Sequence, residues 1–188
     1  MYPSASIAEP GVIEHVEGNR FAIGEPDGST SDRCRRLADA LIESGIRCPM
    51  RSRIRDDMWV KLLGNVAFNP ISALSHATLV EIANHPEAAE LACFVMEEAD
   101  AVAAALGVEI PISIERRIAG VAKVGEHKTS MLQDVETGRP MELKAIVGAV
   151  IELGEIVGVQ MPNIRAVYAG TKLLGESVAK GRTTRAAP

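Results

Sequence analysis

The spacing of apolar residues changes character near residue 52 of this 188-residue chain. Before that point, short apolar runs alternate with turn-forming residues such as Pro10-Gly11, which is typical of strands and hairpins. After it, apolar residues recur at the i, i+3, i+4 spacing that predicts helices alone. The pattern therefore predicts an α+β protein, in which a small β-containing part comes before a larger helical part.

The first part is predicted to run β-β-β-α-β. Val12–Val16 and Phe21–Ile23 flank the polar run Glu17–Arg20, which indicates a hairpin with its turn in that run. Ile46–Met50 indicates one further short strand, and the helix before it is expected to end at Gly45. One face of that helix carries its apolar residues: Cys34, Leu37, Ala38, Leu41 and Ile42. These elements are too few for a complete domain and resemble the end of a larger α/β sheet.

The second part is predicted to be a series of helices, several of which have Pro at the start or Gly just past the end. The first begins near Trp59 and is expected to kink or stop at Pro70, because proline cannot donate to the carbonyl of Val66. The other predicted ranges are Leu79–Asn84, Pro86–Leu106, Ile112–Val124, Met131–Val135, Pro140–Val157 and Asn163–Ala179.

Three polar residues interrupt the apolar pattern of the helix that begins near Trp59. Lys61, Asn65 and Asn69 follow one another at i, i+4 and i+8, so on a helix they form one stripe roughly 12 Å long. An ammonium or amide buried without a partner costs several kcal/mol, so the stripe indicates a site with a ligand, water or protein partners. Gly64 beside the stripe lets another group come close. The same spacing also arises by chance on solvated helix faces.

A second group of polar residues lies far along the chain. It consists of Ser130, Gln133, Asp134, Arg139 and Glu142. Ser130 and Gln133 fit a capping box at a helix start. Glu142, in the first turn after Pro140, favours the helix dipole. Taken alone, neither Ser130 nor Glu142 decides between a structural and a functional interpretation.

Composition and charge exclude several classes of partner. The chain is 47% hydrophobic, 24% charged and only 3% aromatic, which fits a soluble protein built from helices with small side chains. The net charge is −5 with both signs interspersed, so we expect no nucleic-acid or membrane partner. No signal peptide and no apolar run of membrane-spanning length is found, and a cytoplasmic protein is expected.

The cysteines and histidines predict neither disulfides nor a metal site. The three cysteines are Cys34, Cys48 and Cys93, and the four histidines are His15, His76, His85 and His127. An odd number of cysteines without metal-ligand spacing is typical of reduced residues in a cytoplasmic protein. The histidines show no ligand pairing either, so no metal is expected.

Together, the two polar groups resemble the C-terminal domain of the ketopantoate reductases (2-dehydropantoate 2-reductases). The matching motifs are W-x-K-x-x-x-N-x-x-x-N-P from Trp59 and S-M-x-Q-D…R-x-x-E from Ser130. The opening A-x-I-x-x-P-G-V-x-x-H resembles late strands of that family's nucleotide-binding domain. V-G-V-x-x-P-N near Pro162 resembles the family's last inter-helix turn. The similarity covers nearly all of residues 5–175.

The resemblance implies a domain organisation. Residues 53–180 are expected to form an all-helical substrate domain of the 6-phosphogluconate dehydrogenase C-terminal type. Residues 1–52 would be the remnant of a Rossmann-like NADP-binding domain. Residues 181–188 are polar and without periodicity, and are expected to form a frayed tail. A homodimer is one option, since the helices of this family often meet a second subunit.

The resemblance also implies a role for each residue of the two groups. Lys61 matches the catalytic lysine, the general acid that protonates the substrate carbonyl as hydride arrives from NADPH. Asn65 and Asn69 match substrate-contacting asparagines, and Ser130 matches a serine near the substrate carboxylate. Glu142 matches an acid that holds a substrate hydroxyl and supports the lysine, and it is a candidate neighbour of the nicotinamide. Four of these residues are expected to line one cleft that faces the β-containing N-terminal part: Lys61, Asn65, Ser130 and Glu142.

One part of the family's pattern is missing, because no G-x-G-x-x-G occurs in the chain. The residues that bind NADPH in the complete enzyme are therefore unassigned, and the chain alone is expected to be inactive, as a truncated reductase. Three functions stay open. They are the reduction of 2-dehydropantoate to pantoate in pantothenate and coenzyme A biosynthesis, the reduction of another 2-oxo acid, and an idle helical module used for dimerisation.

Overall fold

The computed structural model describes residues 4–123 and 125–181. The chain divides into two compact units, Met1–Met58 (unit 1) and Trp59–Pro188 (unit 2). The strands are β1 (Ser4–Glu9) and β2 (Val12–Glu17), and the α-helices are α1 (Asp32–Glu43), α2 (Ile54–Ser75), α3 (Leu79–Asn84), α4 (Pro86–Ala105), α5 (Ile114–Val121), α6 (Ser130–Glu136), α7 (Ala149–Val157) and α8 (Pro162–Ala179). A π-helical turn, Lys144–Gly148, leads into α7. This mostly helical fold with one small sheet confirms the α+β class.

The unit boundary falls inside α2, at Met58. The predicted domain division into residues 1–52 and 53–180 stays a prediction. Of the predicted tail, residues 182–188 lie outside the described residues. In the described part of the chain, no helix is long and apolar enough to cross a membrane.

The hairpin of unit 1 turns at a different place from the predicted one. β1 and β2 pair antiparallel, with Ile7 opposite Ile13, so the turn lies at Pro10-Gly11 and not in Glu17–Arg20. Gly11 has φ +84°, a conformation that side-chain-bearing residues rarely adopt. Proline followed by a positive-φ glycine suits a tight turn. The predicted hairpin at Glu17–Arg20 is wrong because Phe21–Ile23 pairs elsewhere.

The other two predicted strands of unit 1 are short bridges that run parallel. Phe21 N donates to Arg47 O at 2.9 Å, Ile23 N to Pro49 O at 3.1 Å, and Arg51 N to Ile23 O at 2.8 Å. Helix α1 connects the two segments in sequence, as the crossover of a parallel βαβ arrangement does. These segments are isolated bridges and not full strands, and the assignment of unit 1 to the end of a larger α/β sheet stays a prediction.

Helix α1 ends before Gly45, as predicted, but its predicted apolar face is only partly buried. Ser31 caps the helix by accepting from Cys34 N at 3.1 Å, and Gly45 follows the helix with φ +83°. Cys34 and Ala38 are buried, whereas Leu37 is 53% exposed. Burial raises the pKa of the Cys48 thiol, and Cys34 contributes to the same shift. All three cysteines are free, as predicted.

A buried carboxylate holds the start of α1. Glu25 is 7% exposed and accepts hydrogen bonds from Arg33 Nε at 2.7 Å and from the Ser31 hydroxyl. These bonds, the one from Arg33 first, lower the pKa of Glu25 from 4.5 to about 2. Bonds to the charged form favour ionisation, so the folded protein prefers the carboxylate more strongly than the unfolded chain does.

We therefore expect unit 1 to lose stability as acid protonates Glu25. Because the folded-state pKa is depressed, the contribution is fully present above about pH 4.5 and is lost as the pH falls towards about 2. Glu25→Gln should flatten this part of the curve of melting temperature against pH. Asp39→Asn, at an exposed position of α1, is the matched control. Parallel curves for wild-type and Glu25→Gln would contradict the prediction.

The core of unit 2 is built mainly from aliphatic side chains and small residues. Buried residues of α2, α4, α7 and α8 meet in one cluster that includes Leu63, Val66, Met96, Val150 and Ile164. Close packing relies on glycine at one point: a Cβ on Gly154 would lie 2.3 Å from Met161 Cε. Close contact between helices through small side chains explains how a chain with 3% aromatic residues builds a core.

Helix α2 continues through Pro70 to Ser75, so a stop at Pro70 is wrong, and the alternative of a kink at Pro70 stays a prediction. A proline inside a helix costs about 3 kcal/mol. However, Phe68 is 2% exposed and Ile71 5% exposed, and burying each such side chain contributes about 1.5–3 kcal/mol. Burial on both sides of the proline therefore outweighs the lost hydrogen bond.

The remaining helices follow the predictions closely. α3, α4 and α8 agree with the predicted ranges to within a residue. α5 is shorter than predicted, because Ser113 caps it by accepting from Arg116 N at 3.3 Å. Gly158 ends α7 with φ +74°, as predicted. Helical periodicity thus predicted the positions of these helices of unit 2, and side-chain capping set the start of α5.

Candidate active site

Helix α2 places the three predicted stripe residues on one face. Lys61 is exposed, Asn65 is half-buried, and Asn69 is 6% exposed. Successive members are four residues apart, or about 6 Å along the axis. The stripe therefore runs from the surface into the protein, with the cationic end at the solvent side. Such a gradient suits a ligand that enters from solvent and ends against an amide.

The surroundings of the stripe are apolar and closely packed. Gly64 and Phe68 lie beside it and are buried. Leu63, Val66 and Ala67, on the opposite side, are 0% exposed. The buried neighbours fix the rotation of α2 about its axis, which determines the direction of the stripe.

Ser130 is the first residue of α6 and does not cap it. Thr129 does so, because its hydroxyl accepts from Leu132 N at 3.1 Å. Gln133 Nε2 donates to Lys128 O at 3.1 Å instead of completing a box with Ser130. The capping-box interpretation of Ser130 is therefore wrong, and its exposed hydroxyl is available for another role.

Glu142 directly precedes a helix that starts later than predicted. Arg139 N donates to Asp134 O at 2.8 Å, and Gly138 has φ +68°, so Pro140 follows the end of α6 and does not start the next helix. The first helical residue is Leu143. The carbonyl of Glu142 accepts from Ile146 N at 3.0 Å. The exposed carboxylate thus lies at the positive end of the helix, one residue before it.

All five predicted residues belong to unit 2, and their elements share one core. Met131 and Val135 of α6, and Leu143 next to Glu142, belong to the same hydrophobic cluster as Leu63 and Val66 of α2. The backbone beside each polar residue is thereby anchored in one packed body. The meeting of the Lys61, Ser130 and Glu142 side chains in one cleft stays a prediction.

The two remaining members of the second group have a structural role. Arg139 Nε donates to Asp134 Oδ1 at 3.0 Å. This ion pair closes the turn between α6 and the segment that carries Glu142. It is part of what sets the position of Glu142.

Sequence reasoning did not find the side chain that occupies the space left by Gly64. The Arg117 guanidinium, from α5, lies so close that a Cβ on Gly64 would be 2.6 Å from Nη2 and 3.1 Å from Nε. Only the presence of glycine signalled a close approach, and it did not identify the approaching group. A second cation thus lies within about one helical turn of the Lys61 backbone.

This contact predicts opposite effects for two helical glycines. A Cβ on Gly120 would meet nothing within 4 Å, so Gly120→Ala should stabilise the protein by about 1 kcal/mol through helix propensity. Gly64→Ala must displace Arg117, and we expect it to destabilise the protein by about 1 kcal/mol. Urea unfolding of the two variants measures the difference. Equal stabilisation would show that Arg117 moves away without cost.

Metal ligation is not indicated by the described residues. In the part of the chain that the structure describes, no group of three or more His, Cys, Asp or Glu side chains could hold a metal ion. The predicted site residues offer an ammonium, two amides, a hydroxyl and a carboxylate. These groups can bind a polar organic ligand and transfer a proton to it.

The fold and these residues define a class of protein, the helical C-terminal domains of ketopantoate reductases. The family model described as "Ketopantoate reductase PanE/ApbA C terminal" matches residues 53–174. The chain belongs to this family. The resemblance found in the sequence motifs is thus confirmed.

Individual relatives agree with the family assignment. The 2-dehydropantoate 2-reductase of Mesorhizobium japonicum is 50% identical over 169 residues, which are 90% of this chain and 52% of that protein. The crystal structure of 2-dehydropantoate 2-reductase from Methylococcus capsulatus has a TM-score of 0.86 and 35% identity, and the match covers 95% of this chain and 62% of that one. The chain thus spans about half the length of the Mesorhizobium relative.

The fold is also shared with a dehydrogenase of a different name. The structure of D-mandelate dehydrogenase with NADH and anilino(oxo)acetate has a TM-score of 0.81 at 21% identity, with 94% of this chain and 59% of that one covered. At this identity the likeness shows the fold alone.

Proposed function

We propose that this chain supplies the catalytic lysine and the substrate-binding part of an NADPH-dependent reductase that converts 2-dehydropantoate to pantoate. The observation that carries the proposal is the stripe of Lys61, Asn65 and Asn69, which runs from solvent into the protein. It lies in a chain that belongs to the ketopantoate reductase family. Oxidoreductase activity of the complete enzyme is supported by its relatives, which are named 2-dehydropantoate 2-reductase.

The proposed chemistry centres on Lys61. Reduction of a ketone builds negative charge on the carbonyl oxygen, and a positioned ammonium stabilises that charge and donates the proton. Asn65 and Asn69 offer amide donors and acceptors, which suit the neutral oxygens of a hydroxylated 2-oxo acid. In the proposal, the Ser130 hydroxyl binds the substrate carboxylate. Glu142 accepts from a substrate hydroxyl and limits the cost of holding a cation at Lys61.

The cofactor of the complete enzyme is proposed to be NADPH, which supplies the hydride when bound. In the described part of unit 1, the connection from Phe21–Ile23 to helix α1 does not suit the pyrophosphate of NADPH. Helix α1 begins with the Ser31 cap, Asp32 in its first turn and the nearby Glu25 carboxylate. Negative groups at that position repel phosphate, whereas dinucleotide sites present free backbone N–H groups there. We therefore assign none of the described residues to pyrophosphate binding.

The other proposed properties follow from the family. The partner is a small 2-oxo acid, and neither nucleic acid nor a membrane is involved. A homodimer through the helical part and a cytoplasmic location are proposed for the complete enzyme.

A chimera tests the proposed function. The chimera joins this chain to the part of the Mesorhizobium relative that it does not match. The two parts follow each other in the order in which they occur in that relative. Oxidation of NADPH is then measured with 2-dehydropantoate and with other 2-oxo acids such as pyruvate. We expect the chimera to reduce 2-dehydropantoate with the highest kcat/KM of the panel. Residues 1–188 alone, measured alongside, are expected to show no turnover.

The outcomes separate the alternatives. A higher kcat/KM for another 2-oxo acid would assign the chain to a paralogous reductase. A folded chimera that binds NADPH but reduces none of the acids would favour the idle helical module. Calorimetry with NADPH establishes cofactor binding in each case.

A further inference from the structure

A cavity of about 650 Å³ lies in unit 2 between residues 138–144 and the carboxyl-terminal half of α8. None of the five predicted active-site residues lines it. Cavities of this size are typical of small-molecule sites. The cavity is thus a candidate for a ligand other than the proposed substrate.

One side of the cavity is apolar and firmly held. Met141, Leu143 and Val178 line it, and Leu143 is 6% exposed and belongs to the core of unit 2. Gly175 leaves room for a ligand, because a Cβ at this position would already lie 3.0 Å from Met141 Cε. This side can therefore receive an aliphatic or aromatic group.

The cavity also carries an excess of positive charge. Arg139, Lys144 and Lys172 line it, against a single carboxylate, that of Glu176. Arg139 donates through Nε to Asp134, which lies outside the lining. For the ammonium groups of Lys144 and Lys172, no carboxylate partner is found within residues 4–123 and 125–181. The chain as a whole has a net charge of −5, so this positive cavity is a local feature of an acidic protein.

We propose that the cavity binds an anionic amphiphile. Its carboxylate or phosphate group meets Arg139, Lys144 and Lys172, and its apolar body lies on Met141 and Leu143. Charge-assisted hydrogen bonds orient the anionic end, and burial of the apolar end supplies most of the affinity. This binding does not depend on the proposed reductase activity.

Calorimetry of the full chain with octanoate and octyl phosphate tests the proposal. We expect both to bind with a Kd of about 1 mM or below. 1-Octanol lacks the charge and inorganic phosphate lacks the apolar body, and each should bind at least about tenfold more weakly. Hydrogen exchange should show protection of residues 138–144 and 168–179 when octanoate is added.

Variants locate the binding. The double variant Lys144→Met, Lys172→Met should weaken octanoate about tenfold or more, whereas Lys123→Met, an exposed lysine outside the cavity, should not change it. Ala179→Trp places a bulky side chain at an exposed lining position and should block both ligands while the fold is kept. Unchanged affinity in either the double variant or Ala179→Trp would overturn the proposal. Equal binding of phosphate and octyl phosphate would overturn it as well.

Discussion

Replacing Lys61 by alanine is expected to lower kcat of the chimera by about 10²–10⁴-fold, the usual effect of losing a general acid. The change removes the only cation of the stripe and leaves the two amides in place. Because the Lys61 side chain is exposed, stability should change by less than about 0.5 kcal/mol. Steady-state kinetics with 2-dehydropantoate, together with thermal unfolding, separates the chemical effect from a folding effect.

Lys123→Ala is the matched control for the Lys61 variant. Lys123 is also exposed and follows α5 instead of lying on the stripe. Its kcat should equal that of the unmodified chimera. Near-normal turnover of Lys61→Ala would contradict the assignment of Lys61 as the general acid, whatever the control shows.

Replacing Glu98 by alanine is expected to cause a large loss of stability. The Glu98 carboxylate, on α4, accepts from Asn163 N at 2.9 Å, Asn163 Nδ2 at 2.7 Å and Ile164 N at 2.8 Å. It therefore caps the start of α8 from a neighbouring helix, and its charge favours the positive helix end. Removing it leaves three partly buried donors without their acceptor, and we expect a cost of about 2–4 kcal/mol. Urea unfolding measures it.

The neighbouring residue provides the control for this variant. Glu97 is exposed, and its carboxylate lies 3.6 Å from Cys93 Sγ. Glu97→Ala should change the free energy of unfolding by less than about 0.5 kcal/mol. Glu98→Gln retains only one oxygen acceptor, so its free energy of unfolding should lie between those of Glu98→Ala and Glu97→Ala. Equal stabilities of the two alanine variants would show that water accepts hydrogen bonds from the donors at the start of α8 when Glu98 is absent.

Local sequence signals predicted the helices and the composition of the candidate site. Helical periodicity is a short-range effect, and so are the helix start at Pro86 and the helix ends at Gly45 and Gly158. The structure contains all of them. The stripe of Lys61, Asn65 and Asn69 is a property of one helix, so its geometry follows from spacing alone. The family motifs joined this helix to Ser130 and Glu142, which no local rule connects.

The features that sequence reasoning missed depend on contacts between distant residues. Phe21–Ile23 pairs with a segment beyond α1, so the hairpin prediction at Glu17–Arg20 failed for a reason outside the local sequence. The continuation of α2 past Pro70 depends on core packing. The contact of Arg117 with Gly64 joins residues of two helices far apart in sequence. Each outcome is decided by tertiary packing, which overrides local preference.

The π-helical turn after Glu142 determines which insertions and deletions would change the orientation of this residue. A π turn holds one residue more than an α turn, and each residue inserted into or removed from a regular α-helix rotates the preceding segment by about 100°. In the π turn Lys144–Gly148, the wider turn already absorbs the extra residue. Deleting one residue there would therefore leave an ordinary α turn and keep both Glu142 and α7 in their present orientations, whereas the same deletion in a regular α turn would rotate Glu142 by about 100° about the helix axis.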